Sequence, residues 1–322
     1  MIKNIITFDC EIISPMFSGE AIKGNIELRP PAFKASLRYW WRALRAHVDL
    51  KELQKKESLI FGGGGEHAKK SVIEIVSIIQ NDDLIIDDRF KLPHNKDRKD
   101  KNPAEHIAFI SGTFSITYRI TDTTIFSVED LISLMYISSV LGDLGARARR
   151  GMGAWRITDV EVADSNIEKP DNKITLDFIL GHLNEFSDDN YEKQNNAIKI
   201  LNKYREDYPF IKEIHIGKNG FNDVDDLTEL IIETAHNAKN KFNDECFKIQ
   251  RGKNEYKYSV FDIFAGHSRR LASPIYISII KKKYDKNNEK CYPVITVLHS
   301  PDGYKCKQEG EKLIEFFKIQ IL

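Results

Sequence analysis

The chain has 322 residues, 41% hydrophobic and 30% charged, enough apolar material for two cores of ordinary domain size. Its 48 basic residues balance 48 acidic ones, so no global field draws it to nucleic acid and any such attraction has to be local. Cys10, Cys246, Cys291 and Cys306 make no paired short spacing, which argues against a zinc module or a disulfide framework. No stretch reaches the ~18 apolar residues that span a bilayer, and the N-terminus lacks the features of a signal peptide. A reduced, cytoplasmic protein without a membrane partner, metal or cofactor is expected.

In chain order, Ile5 to Ile13 reads as a strand, broken by Ser14-Pro15 and Gly19 into a loop that runs to Pro30-Pro31. A helix follows, with Phe33, Leu37, Trp41, Leu44 and Val48 at helical spacing and prolines in its first turn. A second helix is expected from Leu50 to Leu59, a strand from Val72 to Ile79, and a long polar loop from Asn81 to Glu105. Ile110 to Ile120 alternates apolar and polar residues, as a half-buried strand does. Ser127, with Glu129 and Asp130 behind it, caps a helix ending near Leu141, and Ala154 to Val162 supplies another strand. The order β, α, β, β, α, β is the split βαβ, or ferredoxin-like, pattern, assigned to residues 1–166. The polar stretch Ile167 to Asn172 reads as a linker. Residues 167–322 form a second, less regular unit, with helices expected at Tyr191 to Tyr204, Val224 to Phe242 and Glu309 to Ile319, and strands at Leu271 to Ile280 and Val294 to Leu298.

The helix after Pro31 carries Lys34, Arg38 and Arg42 at i, i+4 spacing with Arg45 beside them, and no acid stands between Glu27 and Asp49. Stacked like charges repel. A phosphate backbone would relieve the repulsion; the plain alternative is a solvated face. Trp40 and Trp41 point about 100° apart on a helix, so Trp40 is either a flank of the apolar stripe or a surface for base stacking. The most specific signal is the run from Gly142 to Gly153, where Gly142, Gly145, Gly151 and Gly153 surround Arg147, Arg149 and Arg150. Glycine lets main-chain N–H groups approach an anion, and the guanidinium fork binds phosphate. Arg269 and Arg270 follow Gly266 in the second half in a similar way. His267 and His47 are lone candidate bases without a visible partner. Gly62 to Gly65 lacks the glycine that a phosphate loop needs directly before Lys70-Ser71. No residue is assigned a catalytic or metal-binding role.

Ser14-Pro15-Met16-Phe17, Glu27 to Pro31 leading into Lys34 through Arg42, and Glu57 to Gly62 resemble the N-terminal signature of the first subunits of Cmr complexes, type III-B CRISPR effectors, within the RAMP superfamily. Gly142 to Gly153 resembles that superfamily's glycine-rich loop, and Arg270 to Pro274 the opening of its second-domain strand. The resemblance implies tandem ferredoxin-like domains, an α+β fold with antiparallel sheets backed by helices. It also implies assembly with other Cmr and RAMP subunits, and contact with CRISPR guide RNA and target single-stranded RNA near the guide's 3′ end. Arg29, Lys34, Arg38, Arg42, Arg147, Arg149 and Arg150 would make the RNA contacts. Ala35 stands where the family commonly has glycine. A non-catalytic RNA-binding subunit is therefore expected; the alternatives are a metal-independent CRISPR endoribonuclease using a histidine, and a purely structural assembly factor.

Overall fold

The structure, a computed structural model, describes residues 4–19, 26–64, 69–91, 105–163, 174–202, 208–242, 246–251, 254–259, 274–283, 288–299 and 307–322. The first half runs β1 (Ile5–Ile12), α1 (Pro30–Ala43), α2 (Leu50–Phe61), β2 (Ile73–Gln80), β3 (Ile85–Lys91), β4 (Glu105–Ser111), β5 (Thr113–Ile120), α3 (Val128–Leu141) and β6 (Trp155–Val162). Its antiparallel sheet has the order β2-β5-β1-β6. Counted without the β3–β4 hairpin, that order is the split βαβ arrangement, in which the first and third strands are central. Alternation places Ile6, Phe8, Cys10 and Ile12 of β1 and Phe114, Ile116, Tyr118 and Ile120 of β5 on one buried face. There they meet Phe33, Leu37 and Trp41 of α1 in one core.

Helix α3 starts at the expected cap: the Asp130 amide donates to Ser127 Oγ (2.9 Å), and the Ser127 amide donates to Asp130 Oδ2 (3.0 Å), a closed capping box. From Leu131 onward α3 is buried on nearly every side, because it packs on α1, on β6 and on two strands of the second half. A helix apolar all round belongs inside a core.

The second half contains α4 (Leu176–Ser187), β7 (Tyr191–Gln194), β8 (Ala197–Ile200), β9 (Ile211–Ile216), α5 (Val224–Phe242), β10 (Cys246–Arg251), β11 (Asn254–Ser259), β12 (Ile275–Lys283), β13 (Glu289–Leu298) and α6 (Lys307–Ile321). Its main sheet has the order β12-β13-β9-β8-β7, every pair antiparallel. β9, α5, β12, β13 and α6 keep the split βαβ path, while the place beside β9 is taken by β8, which precedes it in the chain. Both faces of β12 are covered: Tyr276 and Ile280 join the first-half core, whereas Ile275, Ile277 and Ile279 pack with Leu227 and Ile231 of α5 and Leu313 and Phe317 of α6. This explains its nearly continuous apolar run. Charge also ties the halves together, since Arg156 binds Glu11 of β1 and, through both terminal nitrogens, Glu289 of β13 (2.8 and 2.9 Å).

Three expectations change. Where a helix is expected from Tyr191 to Tyr204, the described residues Tyr191 to Ile200 form a hairpin: Asn195 turns the chain between β7 and β8 with φ +55°, a conformation asparagine tolerates. Helix α4 was not expected at all, although Thr175 caps it by accepting from the Phe178 amide (3.1 Å). The expected loop from Asn81 to Glu105 begins and ends in strands, β3 and β4, which pair with each other. The linker expected at Ile167 to Asn172 lies outside the described residues.

Candidate nucleic-acid interface

The Gly142–Gly153 loop is shaped by the turn after β1. Ala154 donates its amide to Ser14 Oγ (2.9 Å), Gly153 to the Pro15 carbonyl (2.9 Å) and Ala146 to the Phe17 carbonyl (2.9 Å). The segment Ser14 to Phe17 is thus the template on which the loop lies. The second half adds a clamp, because the Gly151 amide donates to the Ile277 carbonyl of β12 (2.8 Å). Gly153 has φ +83°, and a Cβ there would stand 1.9 Å from the Leu144 carbonyl oxygen; at Gly142 it would stand 2.2 Å from Trp40 Nε1. Both positions require the absence of a side chain.

This folding sends the three loop arginines to different depths. Arg147 is exposed with φ +65°. Arg149 is half-buried, 5.6 Å over the Tyr39 ring and 5.3 Å over the Tyr276 ring, and its Nη2 donates to the Tyr39 hydroxyl (3.4 Å). Arg150 turns back toward α6, 5.7 Å over Phe317, and burial with Arg149 nearby lowers its pKa to about 10. Together with Ala32, Ser36, Tyr39 and Trp40 of α1, Asp143 to Gly145, Ala148 and Tyr276, the three line an open groove of about 450 Å³. At its base Asp143 is buried, and Ser278 Oγ donates to its Oδ1 (2.6 Å). Burial raises the pKa of Asp143 well above the carboxylate range, partly offset by the Ser278 hydrogen bond.

Lys34, Arg38 and Arg42 occupy the adjoining flank of α1. The acid absent from α1 itself is supplied by α2: Arg38 Nε donates to Glu57 Oε1, and Arg42 Nε lies 3.7 Å from Glu57 Oε2. Repulsion in this row is therefore partly relieved within the chain, by an acid on the next helix that neither the phosphate reading nor the solvated-face alternative included. One carboxylate still serves two guanidiniums, and Lys34 adds a third cation whose pKa is lowered by burial and then by Arg38. Tyr39 joins the two basic sets. Burial raises its pKa, and Arg149 and Arg42 both oppose that rise, so the phenol stands in the field of one arginine from each set.

Other candidates fall elsewhere. Trp40 is 1% exposed, packed against Tyr39 and Tyr276 (both 5.2 Å between centroids); no face is open to a base, and the stacking alternative is corrected to a core residue. Arg45 is packed 4.5 Å over Trp41 and 5.7 Å over Phe186 of α4, its pKa lowered by burial, so it stiffens the α1–α4 contact instead of extending the row. Arg29 lies beside Glu27 (3.4 Å) and donates to the Gly19 carbonyl (3.3 Å) just ahead of α1. His47 gains a partner that spacing could not show, Asp188 Oδ2 at 3.0 Å, with its pKa lowered chiefly by burial. Neither residue lines the groove. Arg269, Arg270 and His267 lie outside the described residues. Tyr39, Tyr276 and Ser36 were missed as groove residues; the i, i+3, i+4 row through Ala32, Ser36 and Tyr39 is the signal in the chain that could have found two of them.

No group of three or more histidine, cysteine or carboxylate side chains that could hold a metal occurs among the described residues, and no described helix is long and apolar enough to cross a membrane. Residues 9–156 match the family model of the RAMP superfamily. Comparison by sequence with curated proteins finds no match. Among solved structures, the chain is similar to the apo form of Cmr1 from Pyrococcus furiosus, at 16% identity over 92% of this chain and 88% of that one with a TM-score of 0.58. It is also similar to a chain of the type III-B Cmr-beta complex bound to cognate target RNA and AMPPnP in the presence of ssDNA, at 13% identity over 99% and 100% with a TM-score of 0.59. A chain of the Cmr-beta complex bound to cognate target RNA gives 14%, 99%, 100% and 0.59. The segment from residue 9 to residue 156 is thus similar to RAMP-superfamily domains, in a chain whose fold is similar to that of Cmr1.

Proposed function

We propose that the chain is an RNA-binding, non-cutting subunit of a type III-B CRISPR effector assembly, holding guide or target RNA by its phosphates along the ridge of Tyr39. The observation that carries this reading is that Arg149 donates to the Tyr39 hydroxyl while Arg42 also acts on that phenol, which supports two distant sequence motifs sharing one cationic surface. The Cmr-beta complexes that share the fold are bound to cognate target RNA. Binding without cutting fits the titration of the groove. Its cations are guanidiniums, charged at any working pH. Its tyrosines are pushed up by burial, so neither they nor the guanidiniums exchange a proton readily near neutral pH, and its one carboxyl, Asp143, is buried beneath the groove and held by Ser278. The part of the RNA assigned to this ridge is the region of the guide's 3′ end, with other RAMP subunits as neighbours.

Arg38→Glu and Arg149→Glu test the shared surface. Each should weaken capture of single-stranded RNA and lower the slope of log affinity against log salt by about one unit per lost phosphate contact. Circular dichroism should stay that of the parent chain. Wild-type affinity and slope in either folded variant would remove that arginine from the RNA path.

A further inference from the structure

β2 and β3 lie end to end along one side of the β4–β5 ribbon. β2 pairs with residues from Phe114 to Ile120 and β3 with residues from Glu105 to Ser111, both antiparallel. The Asn81–Leu84 turn between them is pinned there: Asp83 Oδ1 accepts from the Thr113 amide (3.0 Å), and Asn81 Nδ2 donates to Thr113 Oγ1 (2.8 Å). Gly112 lets the ribbon bend beneath this turn, since a Cβ there would stand 2.5 Å from the Asp83 carbonyl oxygen. Among the described residues no further strand pairs with β2 or with the outer side of β3. The result is one long edge from Ile73 to Lys91.

That edge exposes large apolar side chains: Val76 at 54%, Ile79 at 57%, Ile85 at 53% and Ile86 at 52%. They make up four of the seven exposed large hydrophobics found among the described residues. Long apolar edges are a liability in a free protein unless something covers them. A bulge at Val76 interrupts regular pairing on one side, which leaves the stretch from Ser77 to Ile86 as the part open to strand addition. The charged residues between Ser77 and Phe90 are Asp82, Asp83, Asp87, Asp88 and Arg89, the last 3.7 Å from Asp88.

Resting on the reading that the chain works inside a multi-subunit assembly, we propose that this edge docks an extended segment of a neighbouring, different protein subunit, apolar at alternate positions and carrying lysine or arginine between them. The carboxylates repel RNA. A second copy of this chain, laid along the same edge, would set aspartates beside aspartates, and like charges directly opposite each other destabilise a strand pair. A basic strand satisfies the open backbone, the apolar side chains and the acids together.

The test places the photo-crosslinker p-benzoylphenylalanine at Ile79 or at Ile86 in the full chain, expressed in its native cells and recovered with whatever assembles on it. A crosslink to a different protein, weakened severalfold by Asp82→Lys with Asp88→Lys, supports the proposal. A crosslink confined to RNA or to a second copy, or no crosslink while other subunits still co-purify, overturns it. If no other subunit co-purifies, the assembly reading itself fails and takes this inference with it; salt-dependent RNA binding by the isolated chain, measured separately, shows whether the RNA surface survives that failure.

Discussion

Replacing Glu57 by glutamine removes one negative charge and leaves the shape of the site. The carboxylate side chain is 6% exposed, while its partners Arg38 and Arg42 are 40% and 46% exposed. An exposed ion pair contributes about 0–1 kcal/mol, and breaking a fully buried one costs about 3–5 kcal/mol. With the acid inside and both cations half in water, Glu57→Gln should cost about 1–2 kcal/mol, including a few tenths from renewed repulsion among Lys34, Arg38 and Arg42. For a chain of this size that lowers the melting temperature by roughly 1.5–3 °C. The effect on RNA has the opposite sign. Two guanidiniums lose their internal counter-charge, so affinity for single-stranded RNA at low salt should rise, and the salt slope should steepen by about one to two units. Fluorescence anisotropy across a salt series, beside thermal melts, measures both. A lower melting temperature with unchanged affinity and slope would mean that Arg38 and Arg42 serve only to hold α2, and the proposed RNA path over α1 would be wrong.

Trp40→Phe should lower stability by about 1–2 kcal/mol yet keep RNA affinity, because the indole is core; a tenfold loss of RNA binding in a folded variant would restore the stacking role. Gly153→Ala should cost about 1–2 kcal/mol for the positive φ alone and more for displacing the Leu144 carbonyl, raising amide exchange across residues 142–153; unchanged exchange would refute the account of the loop. Burial lowers the pKa of His182 to about 4, where its Nδ1 lies 3.0 Å from Ser133 Oγ and its ring stacks on Tyr136. The fold therefore favours the neutral ring: this stability is complete above the unfolded value near 6.5 and is lost as pH falls from there toward 4, at most about 3 kcal/mol. Chemical denaturation at pH 7.5 and pH 4.5 should show the wild type losing more than His182→Gln, and equal losses would contradict it.

How much of this could be read from the chain differs between its halves for physical reasons. β1 and β5 were readable because one face is buried and the other is not, so residues alternate; α3 announced itself through Ser127 and Asp130. β3 escaped because Asp87 and Asp88 interrupt it, and a two-stranded ribbon needs no buried face. β7 and β8 read as a helix in the sequence because Tyr191, Ala197, Ile198 and Leu201 imitate helical spacing, while the Asn195-Asn196 turn that divides them carries no glycine. In the site, the arginine loop stood out by composition. Glu57 did not, because the residue that neutralises Arg38 and Arg42 comes from the next helix, a relation in space that helical spacing within α1 cannot express.

A chain with no net charge can still hold RNA if its charges are sorted by surface, and the first sheet shows how. Its helix-covered side leads to Lys34, Arg38, Arg42, Arg147 and Arg149. Its other side carries Asp9 facing Asp159 and Glu161 facing Thr7, with Ser115 Oγ donating to Asp9 Oδ1 (2.6 Å) and no aromatic ring among Thr7, Asp9, Glu11, Thr113, Ser115 and Thr117. The arginines nearby are already matched, Arg119 by Glu74 and Arg156 by Glu11 and Glu289. Single strands bound on an open sheet face need stacking rings and cations, and this face has acids, hydroxyls and neutralised guanidiniums. On the proposed reading, phosphates would be turned away from the sheet and toward the α1 ridge, where Ile277 of the second half holds the loop in shape through Gly151. RNA affinity of that kind would depend on contacts made by both halves of the chain, although every cation on the proposed ridge comes from the first.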